Sequence, residues 1–290
     1  MSPSSRRGLL HVLLLLPCVA GLSVETSAST RDAAIPPPFL PNDPDEMIRQ
    51  ASAAIARAFQ NNLHRQTIRL PLSESMYGQT EESFVADRAI GWQGGPQETY
   101  RYLSPMAEQL LKSAVMGKNT ESDNSGLPPK LEEQVLLDFD GSSLLNAQSP
   151  LGAVHDGIAI VQPTTDQYYM DQIKQLEISF SDTPGTKAKR LFLLINPAWK
   201  YDASSWGFFQ KKFAQQQILE RYPTTYAIDQ FIVKGQKISL IKVWPSDWCA
   251  YVKPLPPPKS QNTNNDSPPP LLLGTFTERP VYAQLEALVS

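Results

Sequence analysis

The chain has few of the residues that build covalent bridges and metal sites. It contains 2 cysteines and 3 histidines among 290 residues. Once a predicted leader carrying Cys18 is removed, only Cys249 remains, and the mature chain cannot close an internal disulfide. His64 and His155 each lack a second ligand at helical or turn spacing. We therefore predict no metal site and no disulfide scaffold.

Long apolar runs and an excess of one charge are also missing. The formal net charge is −3, so nothing in the composition favours nucleic acid as a partner. The apolar run from Leu9 to Leu22 is interrupted by Pro17 and falls short of the roughly 20 residues that a membrane span needs. Because the run follows Arg6 and Arg7, we predict a signal peptide and no transmembrane span in the mature chain.

No phosphate-binding glycine loop, dinucleotide fingerprint or nucleophile elbow occurs in the chain. Each of these motifs would mark a cofactor site or a catalytic centre. We therefore predict no cofactor, and an accessory role is favoured over an enzymatic one.

Composition divides the chain into five segments. Residues 1–22 form the predicted signal peptide, and residues 23–40 combine a Ser- and Thr-rich, transit-like stretch with a proline-rich connector. Residues 41–253 form the predicted globular domain. Residues 254–270 are a predicted disordered excursion rich in Pro and Asn, and residues 271–290 pack back on the domain. A signal peptide followed by a transit segment predicts a plastid protein imported through the secretory route. Secretion is the alternative, since no Phe follows the expected cleavage point.

Three short apolar runs favour strands that are buried on both faces, and they span Val135–Leu137, Ile158–Val161 and Leu191–Ile195. The segment Thr165–Phe180 between the last two fits a crossover helix. This alternation predicts an α/β fold of three layers, with a mainly parallel sheet and helices on both faces. Two further runs flanking Gly235 predict a C-terminal β-hairpin.

Three other helices follow from local patterns. The first begins at Asp43, which can cap it, with Pro44 at the first helical position and Glu46 closing a capping box. The second follows Gly94 and Gly95, and Pro105 should kink or split it. The third is predicted over Trp206–Arg221.

One motif has a catalytic interpretation. The run from Val135 to Leu137 ends in Asp138, Phe139, Asp140 and Gly141, which resembles the nucleophile loop of haloacid dehalogenase-type phosphatases. Asp138 and Asp140 are therefore the candidate catalytic residues. Those enzymes also need a later acidic pair for magnesium, and the later acidic residues here are isolated. The other interpretation is a strand end turned by Asp and Gly.

Aromatic residues beside turn formers offer a binding interpretation. The loop after Leu191–Ile195 contains the four candidate binding residues Asn196, Trp199, Tyr201 and Trp206. In the binding interpretation the polar residues around them keep both tryptophans exposed. The other interpretation is that the Trp rings plug the rim of the core. Trp244 and Trp248 are a second choice. Since the carboxyl ends of parallel strands share one edge, we expect this edge to gather Asp138, Asp140, Gln162, Asn196 and Trp199.

Five motifs occur in one order along the chain: GWQGG, SPLGAV, VQP, LLINPAW and RPVY. Together they resemble the plastid domain-of-unknown-function family that includes the low photosystem II accumulation factors. The similarity runs from about Pro41 to the C-terminus. It implies a plastid accessory protein that assists photosystem assembly or maintenance, with photosystem or thylakoid proteins as partners. The alternatives are a plastid enzyme acting on a phosphorylated metabolite and a secreted protein of another role.

Overall fold

The computed structural model describes residues 36–71, 96–117, 127–137, 142–181, 190–253 and 269–289. Five helices and nine strands occur within these ranges. In chain order they are α1 Pro44–Gln60, β1 Arg65–Arg69, α2 Pro96–Gly117, β2 Lys130–Leu137, β3 Ser142–Gln148, β4 Gly157–Val161, α3 Gln167–Ser181, β5 Leu191–Ile195, α4 Lys211–Ala214, β6 Thr224–Val233, β7 Gln236–Val243, β8 Trp248–Val252, β9 Leu271–Phe276 and α5 Tyr282–Leu288.

The described strands form one mixed sheet in the order β2-β3-β4-β5-β1-β6-β7-β8-β9. Its centre is parallel, because β4, β5, β1 and β6 run in the same direction. On one side β3 and β2 join with alternating direction, and on the other side β7, β8 and β9 do the same. The sheet is therefore a parallel centre between two antiparallel flanks.

The predicted three-layer fold with a mainly parallel sheet is wrong. Among the described strands, five neighbouring pairs are antiparallel and three are parallel. Three of the antiparallel pairs join β6, β7, β8 and β9, and the other two involve β3, which lies between β2 and β4 and is antiparallel to both. Strand β3 was not predicted. Its sequence, SSLLNAQ, has only two large apolar residues and gives a weak strand signal. The hairpin around Gly235 does form, from β6 and β7.

The two central apolar runs match their predictions. Strands β4 and β5 are buried along their whole length, and α3 is the crossover helix that joins them in parallel. The third run differs. Strand β2 lies at the edge of the sheet, and Val135 is 52% exposed. A short apolar run therefore did not distinguish a central strand from an edge strand.

The helices also depart from the predictions in part. Asp43 caps α1 by accepting the backbone N–H of Glu46 at 2.7 Å, while the Glu46 carboxylate accepts from Asn42 instead of closing a box. Helix α2 continues through Pro105 as one element. The helix predicted from Trp206 starts later, at Lys211, and its last turn, Gln215–Leu219, is a π-helix.

Alternation along β5 divides the core between the two faces of the sheet. Leu191, Leu193 and Ile195 pack into the cluster that contains the buried sides of α1 and α2. Phe192 and Leu194 point the other way, into a cluster with α3 and the π turn. Helix α5 packs on a third cluster built on β6, β7 and β8. Burial on both faces explains the continuous apolar runs of the central strands.

Candidate functional site

Strands β1, β4 and β5 end in register at one side of the sheet, which we call the carboxyl edge. Gln162 follows β4 there, and its backbone N–H donates to the carbonyl of Ile195 at 2.8 Å. Asn196 follows β5, and its backbone N–H donates to the carbonyl of Ile68 at 2.8 Å. The carboxyl edge therefore brings together two of the polar residues that were expected to meet.

Asn196 is a clamp between two strands. Its side-chain oxygen accepts the backbone N–H of Leu70 at 2.6 Å, and its amide nitrogen donates to the Leu70 carbonyl at 2.7 Å. The backbone φ of Asn196 is 47°, a conformation that Asn adopts more readily than most residues. Because both ends of the amide bond the backbone after β1, the side chain of Asn196 holds β1 and β5 together.

Trp199 and Trp206 are buried, as the packing interpretation has it, and do not form the solvent-exposed surface that the binding interpretation needs. Each is 3% exposed, and their ring centroids are 5.2 Å apart. Both belong to the core cluster on the α3 side of the sheet. Of the second-choice pair, Trp248 is buried and Trp244 is half-buried. Polar neighbours in the sequence predicted exposure, yet the loop turns its two large rings inward.

Tyr201 lies between two arginines. The guanidinium carbons of Arg69 and Arg279 are each 4.3 Å from the centre of its ring. Its hydroxyl donates to Asp229 at 3.1 Å, and the same carboxylate accepts from Arg279 Nε at 2.9 Å. The ring also packs edge-on against Trp248, with centroids 5.5 Å apart. We call Arg69, Tyr201, Asp229 and Arg279 the arginine–tyrosine cluster.

The arginine–tyrosine cluster carries two positive charges and one carboxylate. Burial raises the pKa of the Tyr201 hydroxyl, and the negative charge of Asp229 raises it further. Burial lowers the pKa of Arg69, against the opposing field of Asp229. Arg69 also donates to the carbonyls of Pro197 and Trp199, at 3.1 and 2.6 Å. The cluster therefore connects four segments of the chain. These are β1, the loop that follows β5, strand β6, and the segment that precedes α5.

The candidate catalytic residues Asp138 and Asp140 lie outside the described residues. What precedes them is described: β2 ends at Leu137, opposite Ser142, and Ser143 is opposite Val161 of β4. Because β3 is antiparallel to both neighbours, β2 and β4 point in the same direction. The chain therefore leaves β2 at the carboxyl edge, the same edge as Asn196.

A second charged cluster was not found from the sequence. Glu177 of α3 accepts from Arg65 through two parallel bonds of 3.0 Å, from Arg221 at 3.0 Å and from the hydroxyl of Tyr222 at 2.6 Å. Burial opposes ionisation of Glu177, but the bonds from Arg65 and Tyr222 outweigh it and lower the pKa. The only sequence signal was one acidic residue on the apolar side of a predicted helix, one turn after Ile173.

Two cavities lie among the described residues, and neither is lined by the predicted binding residues. One, of about 700 Å³, lies between Pro36–Phe39, α1 and the turn after β7. The other, of about 240 Å³, lies between α3 and the π turn and has Glu177 and Arg221 at its rim. The first is large enough for a small molecule or a peptide side chain.

The described ranges hold no group of three or more His, Cys, Asp or Glu side chains placed to bind a metal ion. None of the helices in those ranges is long and apolar enough to cross a membrane.

Comparison with protein families matches residues 41–287 to a domain of unknown function, DUF1995. No curated protein and no solved structure matches the chain. The matched range covers all nine described strands and helices α1 to α4, and it ends one residue before the last residue of α5. The motifs LLINPAW and RPVY lie within it and supply Asn196, Trp199 and Arg279 to the carboxyl edge.

Proposed function

The chain belongs to the DUF1995 family, and on that basis we propose that it is a plastid accessory protein that assists photosystem assembly or maintenance by binding photosystem or thylakoid proteins. The proposal concerns a binding protein without chemistry of its own. The proposed location rests on the predicted leader and on the motif resemblance.

One observation supports a binding role more than any other. Asn196, Trp199 and Arg279 come from the motifs that carry the resemblance, and their side chains bond or pack within the fold. Asn196 bonds the backbone of Leu70, Trp199 is buried, and Arg279 pairs with Asp229. The motifs therefore maintain the shape of the domain. A domain whose motif residues hold its shape can present a preorganised surface to partners.

The proposal is tested by removing the chain from photosynthetic cells. We expect photosystem II core proteins, measured per chlorophyll by immunoblot, to fall, and we expect the full chain to restore them. The Asp138→Asn variant should restore them equally well, because the proposed role needs no nucleophile at that position. Unchanged photosystem levels would contradict the accessory role.

The enzyme alternative gives the opposite result for the same variant. If Asp138 attacks a phosphoryl group, Asp138→Asn fails to restore the photosystem, and the purified full chain releases phosphate from a phosphorylated metabolite. Asp202→Asn is the matched control, because Asp202 is an exposed acidic residue that caps a 3₁₀ turn by accepting from Ser204. That control should restore the photosystem under both proposals.

A further inference from the structure

Two adjacent phenylalanines project from the loop that precedes α4. Phe208 is 84% exposed and Phe209 is 95% exposed, and their ring centroids are 5.5 Å apart. Single exposed apolar residues are common on soluble proteins, whereas two neighbouring aromatic rings at this exposure form a contiguous apolar tip. Such a tip is a candidate contact surface.

The loop that carries the two rings is anchored at both of its ends. Trp206 is buried against Trp199 at its start. At its end, the carbonyl of Gly207 accepts the N–H groups of Gln210 at 2.9 Å and Lys211 at 3.1 Å, which leads directly into α4. The rings are therefore presented on an anchored turn, and ordering them on a partner costs little conformational entropy.

The charge around the tip is opposite in sign to that of the chain. Residues 196–219 contain Lys200, Lys211 and Lys212 and one acidic residue, Asp202, while the whole chain has a formal charge of −3. All three lysines are exposed. Hydrogen bonds from Ser204 lower the pKa of Asp202, and the positive charges of Lys200 and Lys211 lower it further. We call the stretch that carries the apolar tip, residues 196–219, its rim, and this rim has a net charge of +2.

We propose that this loop, which we call the Phe208–Phe209 tip, docks on the surface of an anionic lipid bilayer. Aromatic rings on a base-rich surface suit the boundary between head groups and acyl chains, where the rings bury and the ammonium groups meet anionic head groups. The rim charge favours this occupant over an apolar protein groove, because a groove would desolvate the lysines without supplying anions. The inference does not depend on the proposed function.

A dye placed at the tip tests the proposal in the full chain. Phe209→Cys, in a Cys18→Ser background, is labelled with an environment-sensitive fluorophore; Cys249 is buried and stays unlabelled. The matched control is Ile232→Cys, an exposed apolar position on β6 that is 66% exposed. Because each dye reports its own surroundings, contact of the leader with lipid does not produce the signal at the tip.

With vesicles of phosphatidylcholine and phosphatidylglycerol in equal parts, we expect the dye at position 209 to brighten and shift to the blue, and the dye at position 232 to stay unchanged. Adding Lys211→Gln and Lys212→Gln should raise the lipid concentration at half-saturation by about thirtyfold. Three outcomes overturn the proposal. In the first, the fluorescence of the dye at position 209 does not change with vesicles. In the second, it changes equally with vesicles of pure phosphatidylcholine, and in the third, it changes only when another protein is added and not when lipid is added.

Discussion

At the residue scale, the polar side chains that looked available in the sequence are bonded within the molecule. Asn196 clamps the chain beyond β1, Arg69 and Arg279 enclose Tyr201, and Glu177 gathers three donors. When one member of a buried hydrogen-bonded pair is removed, its partner is left unsatisfied, and this costs more free energy than the bond itself contributes. Substitutions at these residues should therefore lower the stability of the fold before they affect any binding.

Asn196 gives a prediction with two graded variants. Asn196→Gly removes both bonds to Leu70 but keeps the freedom to adopt a φ of 47°, and it should lower the free energy of unfolding by about 2 kcal/mol. Asn196→Ala adds backbone strain and should cost roughly 1 kcal/mol more. Urea unfolding measures both. Equal stability of wild type and Asn196→Gly would show that the clamp does not stabilise the fold.

The ion pairs of Glu177 should make the stability of the fold depend on pH. The pKa of Glu177 in the folded chain lies below the ordinary value of 4.5, so its contribution to stability is fully present above that pH and is lost as the pH falls through the lowered pKa. At neutral pH, Glu177→Gln should lower the free energy of unfolding by about 3 kcal/mol, because Arg65 and Tyr222 lose a charged partner.

The difference between Glu177→Gln and wild type should then shrink as urea unfolding is repeated from pH 6 toward pH 3. Glu108→Gln is the matched control, since Glu108 is paired only loosely with Lys112, at 3.7 Å on the surface of α2. That variant should change stability by less than about 0.5 kcal/mol. A difference for Glu177→Gln that is constant with pH would contradict the assigned ion pair.

The sequence indicated which residue types matter at the carboxyl edge but not which way they point. Gln162 and Asn196 were placed correctly at one edge, since residues after parallel strands must emerge together. The rings of Trp199 and Trp206 turn inward because they pack in one core cluster with side chains of β4 and α3, which lie elsewhere in the sequence. Local polarity could not reveal that packing.

At the element scale, several strong local signals predicted the structure correctly, and one weak signal concealed a strand. The N-cap of α1, the buried strands β4 and β5, and the hairpin around Gly235 follow from local chemistry. Strand β3 has little apolar content, and yet it sets the antiparallel direction of one flank. Its pairing is a tertiary effect that no single-sequence pattern encodes.

The turn of the β6–β7 hairpin allows the cost of backbone strain at Gly235 to be predicted. Lys234 and Gly235 form this two-residue turn with φ of 47° and 76°, the conformation of a type I′ turn. A Cβ on Gly235 would meet nothing within 4 Å, so Gly235→Ala isolates the backbone strain and should lower the free energy of unfolding by about 1 kcal/mol.

Gly207 provides the control for that substitution. A Cβ there also meets nothing within 4 Å, and its backbone is not in the left-handed region. Gly207→Ala should therefore leave stability unchanged or slightly raised, because the unfolded chain loses freedom. Equal effects of the two substitutions in thermal unfolding would contradict the strained turn.

At the scale of the whole molecule, the C-terminal segment of the family match joins the same domain as the strands before it. Strand β9 pairs with β8, and Arg279 then joins Tyr201 and Asp229. Lys234 reaches α5, donating to the carbonyls of Glu286 and Val289 at 3.2 and 3.0 Å. The family match over residues 41–287 therefore follows one continuous structural unit.

The location of the chain in the cell tests the central claim most directly. The full-length chain with a fluorescent protein at its C-terminus is expressed in a photosynthetic alga whose plastid is reached through the secretory route. A plastid accessory protein predicts fluorescence that coincides with chlorophyll, and loss of that coincidence when residues 1–22 are removed. Fluorescence in the endoplasmic reticulum or in the medium, and none in the plastid, would contradict the account.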